Sequence, residues 1–402
     1  MEEHDLPLSG IRVLDIATYI AGPTCAALLG EFGADVIKIE KPDGGDPLRR
    51  LGTPAPENQG SLLWLNEARN KRSVTLDLKR EEGAELFRRL AEGADVICEN
   101  FRPGTLERWG LGYDVLKARN KALVLLRVSG FGQTGPYRDR PGFARIAHAV
   151  GGLSHLTGMP DGPPLTPGST SLADYMSGLY GVVGILMALR QRDKTGEGQV
   201  VDVALYESVF RALDELAPAR ALTGKVRARQ GIGTVNACPH GHFSCADGKW
   251  LAIACTNDRM FARLANVMGM PELAQDSRFG RLEARLAAQP EVDATVQEWV
   301  GARNREDVVL ACERGGVPCG PVLDISDILS DPHYAARETL QDMPVAGAGN
   351  LPFPAPLPRL SETPGKLRHL GPTLGDANKD VFIGELGLSA AEFDGLKRAG
   401  VI

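Results

Sequence analysis

Buried strands and helices alternate along the first half of this chain, and that alternation restricts the fold more than any other feature. Ile11-Arg-Val-Leu-Asp-Ile-Ala17 reads as a buried strand. Ala21-Gly-Pro-Thr24 then starts a helix, with Pro23 at an early position where its missing N–H is not needed. That helix ends near Gly33, and Val36-Ile-Lys-Ile-Glu40 is the next strand. Strand, short helix and strand within about thirty residues make a parallel crossover unit. The pattern recurs: a helix over Glu81 to Ala91, a strand over Asp95 to Glu99, a helix over Tyr113 to Arg119 and a strand over Leu123 to Val128. A last strand, Gln199-Val-Val-Asp-Val-Ala204, feeds a helix from Tyr206. This order predicts an α/β fold with a doubly wound parallel sheet. No Gly-x-Gly-x-x-Gly follows a strand, which disfavours the nicotinamide-binding version.

The texture changes in the middle of the chain. Gly224 to Asn236 is basic and Gly-rich, as a linker is. Ala246 to Ala254 reads as a turn and strand, and helices are expected over Asp258 to Met268 and much of Arg281 to Cys312. Pro318-Cys-Gly-Pro321 marks an exit turn. The run Leu351 to Pro358 is extended, and a final helix over Ala390 to Arg398 is expected to dock on the first domain. The division is therefore a large α/β domain over 1–224, a small α+β domain over 225–329, and a return to the large domain over 330–402. A net charge of −6 gives no electrostatic case for a nucleic-acid or membrane partner. The acidic N-terminus does not read as a signal, and the longest apolar run, Gly181 to Leu189, is too short for a bilayer. Seven scattered cysteines fit a reduced, cytoplasmic location.

One stretch stands out, Gly168-Ser-Thr-Ser-Leu-Ala-Asp174. Ser171 and Asp174 at three-residue spacing read as a helix start close to a capping box. From Met176 to Leu189 nearly every residue is apolar or small, so the helix is expected to be buried on most sides. A carboxylate in its first turn has two readings. It caps the helix, or the N-terminal field keeps it ionised as a nucleophile.

Polar and basic residues gather after the early strands: Lys41, then Asn100, Phe101 and Arg102, with Arg108 beyond. Asn70-Lys-Arg-Ser73 leads into Leu76-Asp-Leu-Lys79. Ligands of open α/β sheets bind at strand ends, and basic groups with one aromatic suit a phosphate-rich nucleotide. Singly, each is an ordinary surface charge. Cys238-Pro-His240-Gly-His242-Phe-Ser-Cys245 holds four potential zinc ligands, but it lacks a Cys-x-x-Cys pair and runs into a strand. A turn is the favoured reading.

Together these residues resemble the class III CoA-transferases, the family of formyl-CoA transferase. The marks are Leu8-Ser-Gly-Ile-Arg-Val-Leu-Asp15, Ala21-Gly-Pro23, Gly33-Ala-Asp-Val-Ile-Lys-Ile-Glu40, Asn70-Lys-Arg-Ser73, Glu99-Asn-Phe-Arg-Pro-Gly104, Ser171-Leu-Ala-Asp174, Lys194-Thr-Gly-Glu-Gly-Gln199 and Gly316-Val-Pro-Cys-Gly-Pro-Val322. The resemblance implies that Asp174 is the catalytic nucleophile. It implies CoA contacts at Ile20, Ala21, Lys41, Leu76, Asp77, Leu78, Lys79, Asn100, Phe101, Arg102 and Arg108. It also implies an interlocked, ring-like homodimer. CoA thioesters enter as substrates, with no prosthetic group and no metal.

Two departures narrow the activity. Ile20 stands where formyl-CoA transferase has a glutamine, and that enzyme's glycine-run lid is absent. The related racemases use a Gly-His-Asp segment, which here reads Gly142-Phe143-Ala144. A transferase is therefore favoured over a racemase or isomerase, or a catalytically idle CoA-binding protein. The segment Arg140 to His148 borders the acyl pocket by the same resemblance. Arg145 is the candidate for a second carboxylate, with His148 or His155 as a neutral donor. On that reading succinyl-CoA is the donor and a dicarboxylate the acceptor. The bland alternative has Arg145 contacting a CoA phosphate or a cap carboxylate of a partner subunit.

Overall fold

The computed structural model describes residues 6–402. The acidic N-terminal pentapeptide discussed above lies outside the described residues. Six parallel strands form the main sheet: β1 (Arg12–Asp15), β2 (Asp35–Glu40), β3 (Lys71–Thr75), β4 (Val96–Glu99), β5 (Val124–Ser129) and β6 (Val200–Ala204), in the order β3-β2-β1-β4-β5-β6. The order runs outward from β1 in one direction and resumes at β4 in the other. A crevice is therefore expected between the carboxyl ends of β1 and β4.

The period-two alternation of side chains sorts the strands onto two cores. One face carries Leu14, Ile37, Val74, Ile97 and Leu125. It is covered by Leu86, Phe87 and Leu90 of the helix Glu81–Glu92 and by Val381, Phe382 and Phe393 from the C-terminal segment. The other face carries Val13, Val36, Val96, Val124, Leu126 and Val128. It packs on α1 (Ala21–Glu31), through Cys25, Ala26 and Leu29, and on the 24-residue helix Leu172–Thr195. That long helix approaches closely because of its glycines. A Cβ on Gly181 would lie 3.0 Å from Leu126 Cδ2, and one on Gly184 would lie 2.5 Å from Val201 Cγ1. By length and composition the helix is apolar enough to cross a membrane, unlike the short run visible in sequence. Its inner side is committed to this sheet, with Ser177, Gly178, Gly181, Ile185, Ala188 and Leu189 buried.

The opening Lys-Arg of β3 masks a strand that sequence patterning missed. Lys71 is buried in an ion pair, and the outer edge of β3 is covered by the C-terminal segment. Ser73 N–H donates to Asp376, Ala377 N–H to Ser73 O, and Thr75 N–H to Asn378. Covering an edge in this way removes a template for unwanted strand pairing.

The chain divides into two compact units. The first comprises the chain up to Leu153, Thr166–Glu215 and Glu338–Ile402. The second comprises Ser154–Leu165 and Leu216–Arg337. Ser154–Leu165 joins the second unit through long-range bonds that no local pattern announces. Gly231 N–H donates to Gly158 O (3.1 Å) and Arg229 Nε to Met159 O (3.2 Å). The second unit has an antiparallel sheet, β7 (His240–Ser244), β8 (Trp250–Ala254) and β9 (Cys319–Pro321), covered by helices. The expected exit turn at Pro318 to Pro321 is thus the edge strand of that sheet. In the first unit, the Pro-rich run begins as β11 (Gly349–Pro354), paired with β10 (Leu340–Val345).

Candidate active site

The crevice at the switch point is built by the loops after β1, β4 and β5. Asn100, directly after β4, grips the loop after β1. Its Oδ1 accepts the Thr18 N–H at 2.8 Å, and its Nδ2 donates to Thr18 O at 2.7 Å. The next residue, Tyr19, has φ = 63°, a left-handed conformation uncommon for a side chain of this size. Its N–H donates to Asp46 (3.2 Å), itself paired with Lys38 (2.9 Å). Burial works against the Lys38 charge, but Asp15 and Asp46 outweigh it and hold the ammonium protonated.

Two cavities flank this loop. One, of about 460 Å³, is lined by Lys41, Leu76, Asp77, Leu78, Lys79 and Trp109. The other, of about 440 Å³, is lined by Ile20, Ala21, Asn100, Ser129, Arg145 and Asp174. Thr18, Tyr19, Phe101 and Arg102 line both. Every expected CoA contact but one therefore borders a cavity at the strand ends. Arg108 does not; it is exposed and donates to Thr105 Oγ1 at 2.9 Å. Each volume is within the range of small-molecule sites.

Asp174 occupies the third position of the long helix Leu172–Thr195. No hydrogen-bond or ion-pair partner for its carboxylate is present among the described residues, and burial alone pushes its pKa from the ordinary 3.8 up to about 7. The functional one of the two sequence readings invoked the helix field, which is worth ~0.3–1 kcal/mol, less than one pKa unit, and so offsets only part of the effect of burial. The expected capping box is also absent, for the Ser171 side chain makes no cap bond. His148 supplies the cap instead, its Nε2 accepting the Ala173 N–H at 3.0 Å. On the other side of Asp174, Tyr175 Oη donates to Glu67 at 2.9 Å. Glu67 is held by Thr24 Oγ1 (3.0 Å) and Asn66 Nδ2 (2.8 Å).

His148 therefore corrects the expectation of a donor to the acid. It is 1% exposed, its ring is engaged by the helix, and it lines neither cavity. Burial, then the nearby Arg145 charge, lower its pKa. Arg145, on the same short helix (Ala144–Val150), is exposed, lines the Asp174 cavity and has no hydrogen-bond or ion-pair partner among the described residues. Arg140 lines it too, stacked 3.6 Å above the Tyr137 ring. Phe143 borders the same cavity and meets Tyr19 edge-on at 6.0 Å between ring centres. His155 belongs to the second unit and is exposed.

A second buried carboxylate, Glu99, is also pushed up to about 7, by burial that Arg127 only partly offsets. It accepts from Arg127 Nε (2.7 Å) and the Phe101 N–H (2.6 Å), so it serves the loop after β4. Sequence reasoning overlooked Tyr19, Ser129 and Glu67. The positive φ of Tyr19 and the long-range bond of Glu67 leave no local signature. Among the described residues, no group of three or more His, Cys, Asp or Glu is placed to hold a metal ion.

Comparison with known proteins agrees with this geometry. Residues 8–378 match the family described as CoA-transferase family III. The chain is 55% identical over 399 residues to the succinyl-CoA–L-malate CoA-transferase beta subunit of Chloroflexus aurantiacus, covering 99% of this chain and 98% of that one. It is 51% identical over 400 residues to the alpha subunit from the same organism, covering 100% of this chain and 94% of that one. Among solved structures, a CAIB/BAIF family protein from Brucella suis superposes with a TM-score of 0.83 at 36% identity, covering 94% of this chain and 99% of that one.

Proposed function

Since the chain belongs to CoA-transferase family III, we propose that it moves CoA from succinyl-CoA to a dicarboxylic acid of the malate type through a covalent intermediate on Asp174. The observation that carries this reading is the unpaired Asp174 carboxylate sharing a cavity with the partnerless Arg145 guanidinium. An isolated carboxylate of raised basicity is a good nucleophile once ionised. A free guanidinium beside it suits a second carboxylate, which it binds bidentately.

Asp174 attacks the thioester carbonyl of the donor, and CoA thiolate leaves as a mixed anhydride forms. The thiolate attacks the aspartyl carbonyl, releases succinate and leaves an aspartyl-CoA thioester. The acceptor carboxylate attacks that thioester, expelling the thiolate again. The thiolate then takes the new acyl group and frees Asp174. Backbone N–H groups at the start of the Asp174 helix suit the tetrahedral oxyanions. The cavity lined by Lys41 and Leu76 to Lys79 takes the nucleotide end of CoA, and Phe101 and Arg102 stand where it passes to the Asp174 cavity. The active form is a homodimer, interlocked as the resemblance implies. The outward side of the long helix, with Leu179, Val183 and Met187 exposed, is an apolar surface for it to cover.

The test is incubation with succinyl-CoA and a panel of mono- and dicarboxylic acids, following CoA esters by chromatography and α-deuterium by mass spectrometry. New thioesters of malate-like or glutarate-like acids, without α-exchange, support the reading. Deuterium uptake with no second acid identifies an isomerase, and binding without turnover an idle CoA-binding protein.

A further inference from the structure

Asp174 itself has no partner, yet its two neighbours are each held from outside the helix. We infer that His148 is a positioning residue that, with Glu67 opposite, braces the peptide on both sides of Asp174 and keeps its carboxylate turned into the cavity. This rests on the nucleophile reading above.

The argument begins with the helix end. The first N–H groups of a helix lack intrahelical acceptors, and a serine at the N-cap ordinarily takes one of them with its own side chain. Ser171 occupies that place with φ = −107° and ψ = 15° and makes no such bond. The Ala173 N–H is taken instead by an imidazole from another helix, 25 residues earlier in the chain. Because Nε2 accepts, the ring is neutral with its proton on Nδ1. The bond is fully buried, so water does not replace it if the ring is removed.

What this cap ties together distinguishes it from an ordinary one. His148 and Arg145 sit one turn apart on the same short helix, and Arg145 lines the Asp174 cavity. With the packing of Ala144 and Ala147, this hydrogen bond sets the helix bearing Arg145 against the helix bearing Asp174. Tyr175 Oη on Glu67 fixes the following residue, and Glu67 is anchored to α1 through Thr24. Residues 173 and 175 are clamped and 174 is left free, which is the arrangement a nucleophile needs. It is held in place, but nothing in the protein competes for its lone pairs.

The experiment compares His148→Gln, His148→Leu and Tyr175→Phe with the unaltered enzyme. Transfer from succinyl-CoA to L-malate is measured per folded protein, with folding read by circular dichroism. Glutamine places an acceptor oxygen near the Nε2 position, whereas leucine fills the space without one. The expected result is a kcat on the order of 100-fold lower for His148→Leu, within about fivefold of normal for His148→Gln, and about tenfold lower for Tyr175→Phe. The KM for succinyl-CoA stays within about threefold throughout. Full activity in folded His148→Leu overturns the inference, as do equal losses with leucine and glutamine. If His148→Leu does not fold, Tyr175→Phe decides: an unchanged kcat there overturns the two-sided brace. Asp174→Asn is the control. If it is inactive while the brace variants are normal, the brace alone falls; if it turns over normally, the nucleophile reading falls with it.

Discussion

Asp15 ends β1 and lines neither cavity, Asp174 opens the long helix and lines one, and the fold treats these two carboxylates in contrary ways. Asp15, at the end of β1, is wholly buried and fully engaged. It meets Lys71 Nζ at 2.9 Å and Lys38 Nζ at 3.6 Å, and it accepts the Ala17 N–H at 3.1 Å. The network extends through Lys38 to Asp46. Nearby, Glu40 is bound by two of the Arg49 nitrogens, Nε (2.8 Å) and Nη2 (2.7 Å), and by Ser73 Oγ (2.6 Å). Lys38 also donates to Ala17 O, so the network holds the backbone of the loop that enters the site. Asp174 has none of this. A buried carboxylate whose every lone pair is used is a structural part. One that the fold leaves unpaired is available to react, and the protein accepts an unfavourable charge to keep it so.

Three substitutions bear on that contrast, taken from the largest expected effect to the smallest. Lys71→Met removes the nearer cation of Asp15, leaving only Lys38 at 3.6 Å, and cuts its link to β3. A loss of about 3–5 kcal/mol in unfolding free energy is expected by denaturant titration. A loss below about 1 kcal/mol removes the claim that this cluster is structural. Arg145→Met is expected to lower kcat/KM for the dicarboxylate by about 2–4 kcal/mol, a factor of about 30 to 1000. On the proposed reading the KM for succinyl-CoA changes less, because most of that molecule binds through its nucleotide end, in the cavity that Arg145 does not line. Equal losses for mono- and dicarboxylic acids would leave the transferase class standing but not the role of Arg145.

Asp174→Asn has the smallest expected effect on stability, and in the opposite direction to Lys71→Met. The folded-state pKa of Asp174, about 7, is above its ordinary 3.8. Between those values the unfolded chain has released a proton that the folded chain retains. Rising pH therefore costs the wild type stability from about pH 4, and the cost levels off above about pH 7. Asparagine has no such slope. The variant should match the wild type near pH 4 and exceed it at pH 8 by on the order of 2 kcal/mol, about half of what the full shift would give, because Asp174 is only half-buried and solvent screens it. A variant less stable than wild type at pH 8 contradicts the unpaired state of this carboxylate.

Much of the fold was legible because the central strands are buried on both faces and show as unbroken apolar runs. β1, β2, β4 and β5 announced themselves in that way, while β6 is a partly exposed edge strand that showed through its valines. β3 did not, since Lys71 is buried, where its pairing with Asp15 and its bond to Pro23 O make that tolerable. The cavity residues were legible through the strand-end rule, which needs topology alone. Arg108 lines neither cavity, since a basic residue near a strand end need not turn toward it. His148 misled because a histidine near a site reads equally as a ligand contact or as a cap. Only the 25-residue separation bridged by its bond to Ala173 decides between them. Ser154–Leu165 crosses to the second unit through backbone contacts that periodicity does not encode.

The central claim is that Asp174, and neither Asp15 nor Glu99, becomes acylated during turnover. Hydroxylamine added with succinyl-CoA converts an activated aspartyl group to a stable hydroxamate, which peptide mass spectrometry locates. The account predicts a hydroxamate on Asp174 alone, dependent on the thioester and absent in Asp174→Asn, with Asp15 and Glu99 unmodified. Continued transfer with no modification of Asp174, or a hydroxamate on a different residue, would contradict it.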